Sequence, residues 1–465
     1  MLNSRNRTVL IAAVVTCAFC GCSLESAVDE TTGLIFNKED NTVINIEKKV
    51  EDELPVIVMQ TDDTPPVAVE EPVEEVPEEE YEYIWDNDNK IYSKEAASRD
   101  EITMCFTGDI SLAEGYANMS TLANQGNGIE GCILPEVMSG LKSADILMVN
   151  NEFAYSDRGT PTAGKQYTFR AKPKSVSYLN DMEVDIVSLA NNHAYDWGPD
   201  ALMDTFSILT EAKIPYVGAG KNIDEAVKPV YFKINGKTIA YTSATQIERL
   251  GNPDTKEATA DSPGVLRTLD ATRFVSVIQE AKANSDFTVV YVHWGSENTD
   301  LVEDSQKSLA QKYADAGADL IIGDHSHCLQ GIDYIDDVPV IYSLGNFWFN
   351  SKTVDTGYIY ARLDADCRIK SLQFVPCLQE GCRTKLVDGD KKASILNYLQ
   401  GISVHASIDG EGFITYSSEN HNVQNTSPSK KKESDEPADG VYTLNPLMGI
   451  DPGEQDASTL PITLH

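Results

Sequence analysis

Across residues 101–350 the chain alternates amphipathic stretches with short, unbroken apolar runs, and this alternation restricts the fold more than any other feature. Residues 134–141 lead to Ile146, Leu147, Met148 and Val149, and residues 173–182 lead to Val184, Ile186, Val187 and Leu189. Residues 199–212 precede a short run at 215–217. Residues 271–283 precede Val289, Val290 and Val292, and residues 305–316 precede Leu320, Ile321 and Ile322. A further buried run spans 338–342, and the series opens with the β-rich run Ile102, Thr103, Met104, Cys105 and Phe106. Apolar runs without period-2 alternation belong to strands covered on both faces, and the periodic segments between them are the helices that cover them. Pro199 suits a first helical turn. Asn235 and Gly236 suit a type I′ turn in a hairpin over 231–242, and a second hairpin over 358–374 makes the sheets mixed. These patterns predict an α/β domain over residues 100–390. Beyond about Val387 the pattern fades, and residues 391–465 read as an extension that is in part disordered.

Polar residues gather where the predicted strands end, which is where open α/β sheets place their sites. The ends carry Gly108 and Asp109; Asn150, Asn151 and Glu152; Asn191, Asn192 and His193; His293 to Glu297; Asp324, His325 and His327; and Gly345 and Asn346. The chain has seven His, and four of them stand in these ends. Each motif has an ordinary reading by itself. An Asp after Gly is usually a turn residue, Asn191 to His193 can cap the loop before Pro199, and a lone His293 can be a satisfied core residue. His325 and His327 carry more weight, because alternate residues of an extended segment point the same way. Taken together they predict one shared site of carboxylates and imidazoles at the rim of the core. There a cation relieves the cost of a buried charge. Mixed oxygen and nitrogen shells suit Mn, Fe or Zn, and two such ions a few ångströms apart can hold a phosphoryl group and activate a water.

The ends of the chain differ in texture from the middle. Residues 1–22 pair a positive start (Arg5, Arg7) with a short apolar stretch over 9–19, too brief to span a bilayer with comfort, which marks an export signal. The signal ends in a lipobox-like segment, with Gly21 before Cys22, so Cys22 is the expected lipidation site and the body is expected on the extracytoplasmic face of the cell membrane. Residues 23–99 read as an acidic, disordered stalk; residues 61–100 alone hold 14 acidic and three basic residues. The net charge of −36 argues against nucleic acid as a partner. Six Cys lie outside the signal, with no CxxC pair to hold a zinc ribbon; Cys377 and Cys382 are close enough in sequence to bridge.

The ordered set over residues 102–350 resembles the CapA capsule-synthesis family, itself similar to calcineurin-like metallophosphoesterases. Its members are Gly108-Asp109, Asn150-x-Glu152, Asn191-Asn192-His193 with Asp196, His293-Trp294-Gly295-x-Glu297, Gly323-x-His325-x-His327 and Ser343-Leu344-Gly345-Asn346-Phe347. The resemblance implies a four-layer α/β/β/α sandwich with mixed sheets and a dinuclear centre. It places Asp109 on a first metal, Glu152 between the two metals, and Asn192, His293 and His325 on the second. His327 reaches back to the first, and His193 is the general acid or a phosphate contact. One departure stands out: the Asp-x-His opening of the larger family is here Asp109-Ile110-Ser111, so the first metal lacks an imidazole. The resemblance implies a surface protein that makes, exports or anchors an anionic capsule polymer such as poly-γ-glutamate, beside capsule-synthesis membrane proteins. A metal-dependent phosphoesterase or other envelope hydrolase is the second expectation, and a binding lipoprotein with a vestigial metal site is the third.

Overall fold

The computed structural model describes residues 83–247 and 255–419, together with three short strands nearer the N-terminus. Two mixed sheets carry the body. The first runs Tyr216–Val217, Ile186–Ser188, Ile146–Asn151, Ile102–Ile110, Val354–Leu363, Ile369–Glu380, Phe413–Tyr416, Ala406–Ile408. Its first four strands are parallel, and Val354–Leu363 is antiparallel to both its neighbours. The second runs Leu329–Ile335, Val338–Leu344, Leu320–Asp324, Phe287–His293, Lys237–Thr245, Val230–Ile234, Ile91–Ser93, Trp85–Asp86. Four of these strands, from Val338–Leu344 to Lys237–Thr245, are parallel. The predicted hairpin forms with Asn235 and Gly236 both at positive φ, as a type I′ turn requires.

Three apolar cores make four layers of these parts. In Ile102–Ile110, Met104 and Phe106 face the second sheet and meet Tyr241, Val289, Tyr291 and Ile322. Cys105, one residue on, faces outward to Val137 and Leu141 of helix Pro135–Lys142 and Leu202 and Phe206 of helix Gly198–Glu211. In Phe287–His293 the alternation repeats. Val289 and Tyr291 point inward, while Val290 and Val292 meet Phe274 and Ile278 of helix Thr272–Ala283 and Leu309 and Tyr313 of helix Asp304–Asp315. Each apolar side chain so buried contributes roughly 1.5–3 kcal/mol. The unbroken runs are therefore the sequence trace of an α/β/β/α sandwich, as predicted.

The expected boundaries of 100 and 390 are too narrow. Trp85–Asp86 and Ile91–Ser93 extend the second sheet into the segment read as stalk, with Tyr92 buried against Phe232 and edge-on to Trp85 at 4.7 Å. At the other end helix Gly389–Ile402 buries Ile395, Leu396, Leu399 and Ile402 in the inter-sheet core, and two more strands follow to Tyr416. Residues 391–416 therefore belong to the folded body. The charge run and the exposed faces of these edge elements masked their apolar stripe. A separate unit, Met1–Glu79, holds Ser26–Asp29, Leu34–Asn37 and Val43–Asn45 as an antiparallel three-stranded sheet, so the stalk segment carries regular structure where disorder was expected. Residues 1–22, with Cys22, and residues 420–465 lie outside the described residues. Cys377 pairs across its hairpin with Leu386, while Cys382 sits at the turn, and both thiols are free. Offset along the hairpin in this way, the two do not bridge.

Candidate metal centre

At the site the chain passes directly from the second sheet to the first. Strand Val338–Leu344 ends in the second sheet, the backbone turns through Gly345 at φ +66°, and Asn346–Trp348 joins the first sheet, with Asn346 opposite Asp109. Gly108 permits the approach, since a Cβ there would lie 1.9 Å from the Gly345 oxygen. With no side chain in the way, the Asp109 amide donates to that oxygen at 2.9 Å. The parallel register does the rest by setting Asp109 beside Asn150, and His293 beside Asp324.

All seven residues chosen from the sequence converge at this seam. Glu152, His293 and His325 offer donor atoms within 4.8 Å of one another, and so do Asp109, Glu152 and His327. Glu152 is common to both groups. In the first, His293 Nε2 lies 3.5 Å from Glu152 Oε1, 3.0 Å from His325 Nδ1 and 2.8 Å from Asn192 Oδ1. In the second, His327 Nδ1 lies 3.1 Å from Asp109 Oδ2 and 2.9 Å from Asn346 Oδ1. His325 and His327 do not reach the cluster by strand alternation, as the sequence pattern predicts. Both sit at positive φ, +97° and +56°, in the turn after Asp324. Such backbone costs of order 1–3 kcal/mol in a residue with a side chain and persists where its surroundings impose it. Ile110 and Ser111, in the place of the missing imidazole, are absorbed elsewhere: Ile110 in the outer core, Ser111 by backbone bonds to Trp348 and Asn118.

The electrostatics fit a bound cation. Glu152 is fully buried and neither of its oxygens accepts a hydrogen bond, a state that costs about 1–3 kcal/mol per neutral group and more for a charge. Burial first, then the charges of Asp109 and Asp324, push its carboxyl well above the usual carboxylate range. Burial drives the His293 imidazole down to about 3, and burial with His293 and His327 as neighbours drives His325 well down too. Both rings are neutral at pH 7, with nitrogen atoms crowded on one point, as ligands require. Burial opposes charge on His327 and Asp109 as well, but their mutual hydrogen bond prevails, raising the imidazole and lowering the carboxyl. A divalent cation at Glu152 would give its two unpartnered oxygens the partner they lack.

Several supporting residues escape a reading by motif. Asp196 Oδ2 holds His193 Nδ1 at 2.6 Å and also accepts from the Phe169 amide, while Asp196 Oδ1 pairs with Lys165 Nζ at 2.5 Å. Lys165 also donates to the Asn192 carbonyl. Phe169 packs on the His193 ring at 4.1 Å. His193 is thereby fixed with Nε2 toward Glu152 Oε1, 3.8 Å away, and burial, against Asp196, lowers its pKa. Asn191 Nδ2 donates to Asn150 Oδ1, and Asn150 Nδ2 to Asp109 Oδ1 at 2.7 Å, which orients that carboxylate. Tyr291 donates to Asp324 behind the site. Asp196 sits in a quoted motif and was legible as a partner of His193. Lys165, in an irregular loop, gave no signal. Trp294, beside His293 in sequence, is fully buried and stacks between Tyr313 and Tyr342.

The family model for the bacterial capsule synthesis protein PGA_cap matches residues 103–351, more than half of the chain and the span that holds every residue of the centre. The chain is similar to the PGA biosynthesis protein CapA of Bacillus subtilis (strain 168), at 31% identity over 289 residues, covering 61% of this chain and 73% of that protein. It is also similar to the capsule biosynthesis protein CapA of Bacillus anthracis, at 31% over 293 residues, covering 61% of this chain and 69% of that one. Among solved structures, the calcineurin-like phosphoesterase YfkN from Bacillus subtilis aligns at 14% identity and a TM-score of 0.35, covering 65% of this chain and 96% of that chain; a score of this size carries no argument about fold or chemistry. On the strength of the profile and the two CapA relatives, the chain belongs to the bacterial capsule synthesis family of PGA_cap and CapA proteins.

Proposed function

We propose that this protein serves the synthesis, export or anchoring of an anionic capsule polymer, poly-γ-glutamate above all, through a two-ion hydrolytic centre built on Glu152. One observation carries the proposal: a fully buried carboxylate with two unpartnered oxygens is common to two donor groups. In this reading Asp109, Glu152 and His327 would hold one ion, and Glu152, Asn192, His293 and His325 the other. Such ions supply Lewis acidity and an activated water. Asn150 orients Asp109, and Asp196 holds the His193 ring with its Nδ1 proton donated, which leaves Nε2 as the acceptor facing the centre. His193 would then accept at Nε2 the proton of the attacking water and return it to the leaving-group oxygen, so it would serve as general acid only after serving as base. A chain of net charge −36 repels polyglutamate, and bound cations or a local basic patch would offset that repulsion. Among the described residues no helix is long and apolar enough to cross a membrane; attachment to the extracytoplasmic face through Cys22 is part of the proposal.

The test is elemental analysis of the purified chain, followed by Mn-supplemented assays on a generic phosphoester. Two transition-metal ions per chain are expected, with turnover that falls at least about 100-fold in His193→Ala at unchanged metal content. Protein free of transition metal, or turnover indifferent to His193→Ala, sinks the hydrolytic reading. Labelling with a radioactive lipid precursor tests the anchor, and Cys22→Ser should abolish the label.

A further inference from the structure

We infer that Asn346 supplies, through Oδ1, the fourth protein donor of the first ion position, in place of the imidazole that the Asp-x-His opening lacks. This inference rests on the two-ion reading above. Under that reading the second position has four donors: Glu152, Asn192 Oδ1, His293 Nε2 and His325 Nδ1. The first has three, Asp109, Glu152 and His327, and is one short. Asn346 is buried and paired in register with Asp109, and its Oδ1 lies 2.9 Å from the same His327 Nδ1 that Asp109 Oδ2 meets at 3.1 Å. Two oxygens and a ring nitrogen thus enclose one point. The crossover is built to deliver the side chain there. Gly345 turns at φ +66°, and a Cβ on it would press on the Cys328 backbone at 2.8 Å. The two positions then differ in kind. The first has three oxygens and one imidazole, and the second has two of each. Oxygen-rich sets favour Mn or Mg, and imidazole-rich sets favour Zn, so the centre is expected to fill with unlike ions, the second position taking Zn first.

The experiment titrates Mn and Zn into the full chain after chelation, reading ions per chain and affinity by calorimetry. Wild type should bind two, and Asn346→Leu should lose at least about 100-fold in affinity at the Mn-preferring position, since even outer-shell partners of metal ligands are worth about 10–100-fold. Asn346→Asp should retain two. Wild type with no ion at all defeats the two-ion reading itself. Wild type with two and Asn346→Leu with two at unchanged affinity overturns the assignment of Asn346 and leaves that reading standing. Should Asn346→Leu fail to fold, Asn346→His decides with Co in the first position. A nitrogen in the coordination shell shifts the visible d–d bands, whereas a side chain that only braces His327 leaves them where they are and defeats the inference.

Discussion

Replacing Glu152 by Gln should have opposite effects on stability with and without metal. In metal-free protein both Glu152 oxygens are buried without a hydrogen bond, beside Asp109 and Asp324. The amide keeps the shape and removes the charge. The amide also brings an N–H donor within reach of the Asp109 carboxylate, and satisfying a buried polar group is worth about 1–3 kcal/mol, so Glu152→Gln in chelator should gain about that much over wild type. With metal the order reverses. An ion at 1,000 times its Kd stabilises wild type by about 4 kcal/mol, and the variant, lacking the shared ligand, forfeits most of it. Urea denaturation in EDTA and in Mn measures both signs in one experiment. A variant less stable than wild type by the same amount in both buffers would refute the reasoning, because Glu152 would then be an ordinary packing residue.

Other outcomes follow from features away from Glu152. Burial lowers the Lys90 ammonium from 10.5 to about 8, so the folded chain releases that proton before the unfolded chain does. Wild type should therefore gain up to about 3 kcal/mol on Lys90→Met as pH rises from 8 to 10.5, and parallel stability curves in that window would contradict the buried cation. Asp196→Asn strands the buried Lys165 ammonium and should cost about 3–5 kcal/mol in urea denaturation. Adding Lys165→Met should recover part of it, and strict additivity would show that the pair is not coupled. Gly108→Ala drives a methyl into the Gly345 oxygen; a loss of about 1–3 kcal/mol with weakened Mn binding is expected, and calorimetry showing full binding would mean the seam is slack.

The sandwich was legible because its strands are apolar on both faces; Met104 and Cys105, neighbours in sequence, serve two different cores. The site was legible because its donors end strands, and strand ends are short-range features. What escaped depends on long-range pairing. Tyr92 lies in an acidic stretch, and its burial comes from pairing with Val230–Ile234, far along the chain, while Trp85 pairs locally with Tyr92 at the edge of the sheet. Helix Gly389–Ile402 does carry Ile395, Leu396, Leu399 and Ile402 at helical spacing, and the polar residues between them hid that stripe. The role of Lys165 came from a loop without periodicity, and that of Asn346 from a register that places it against Asp109. Neither can be read from local spacing.

The side chains of the seam hang from both sheets: Asp109, Glu152, Asn192 and Asn346 from the first, His293, His325 and His327 from the second. Apolar burial between the sheets is non-directional. Coordination is not. Under the proposed two-ion reading, a cation there would act as a registration pin, lost from a chain whose sheets docked out of step. Metal content in a purified preparation would then report correct docking as well as composition.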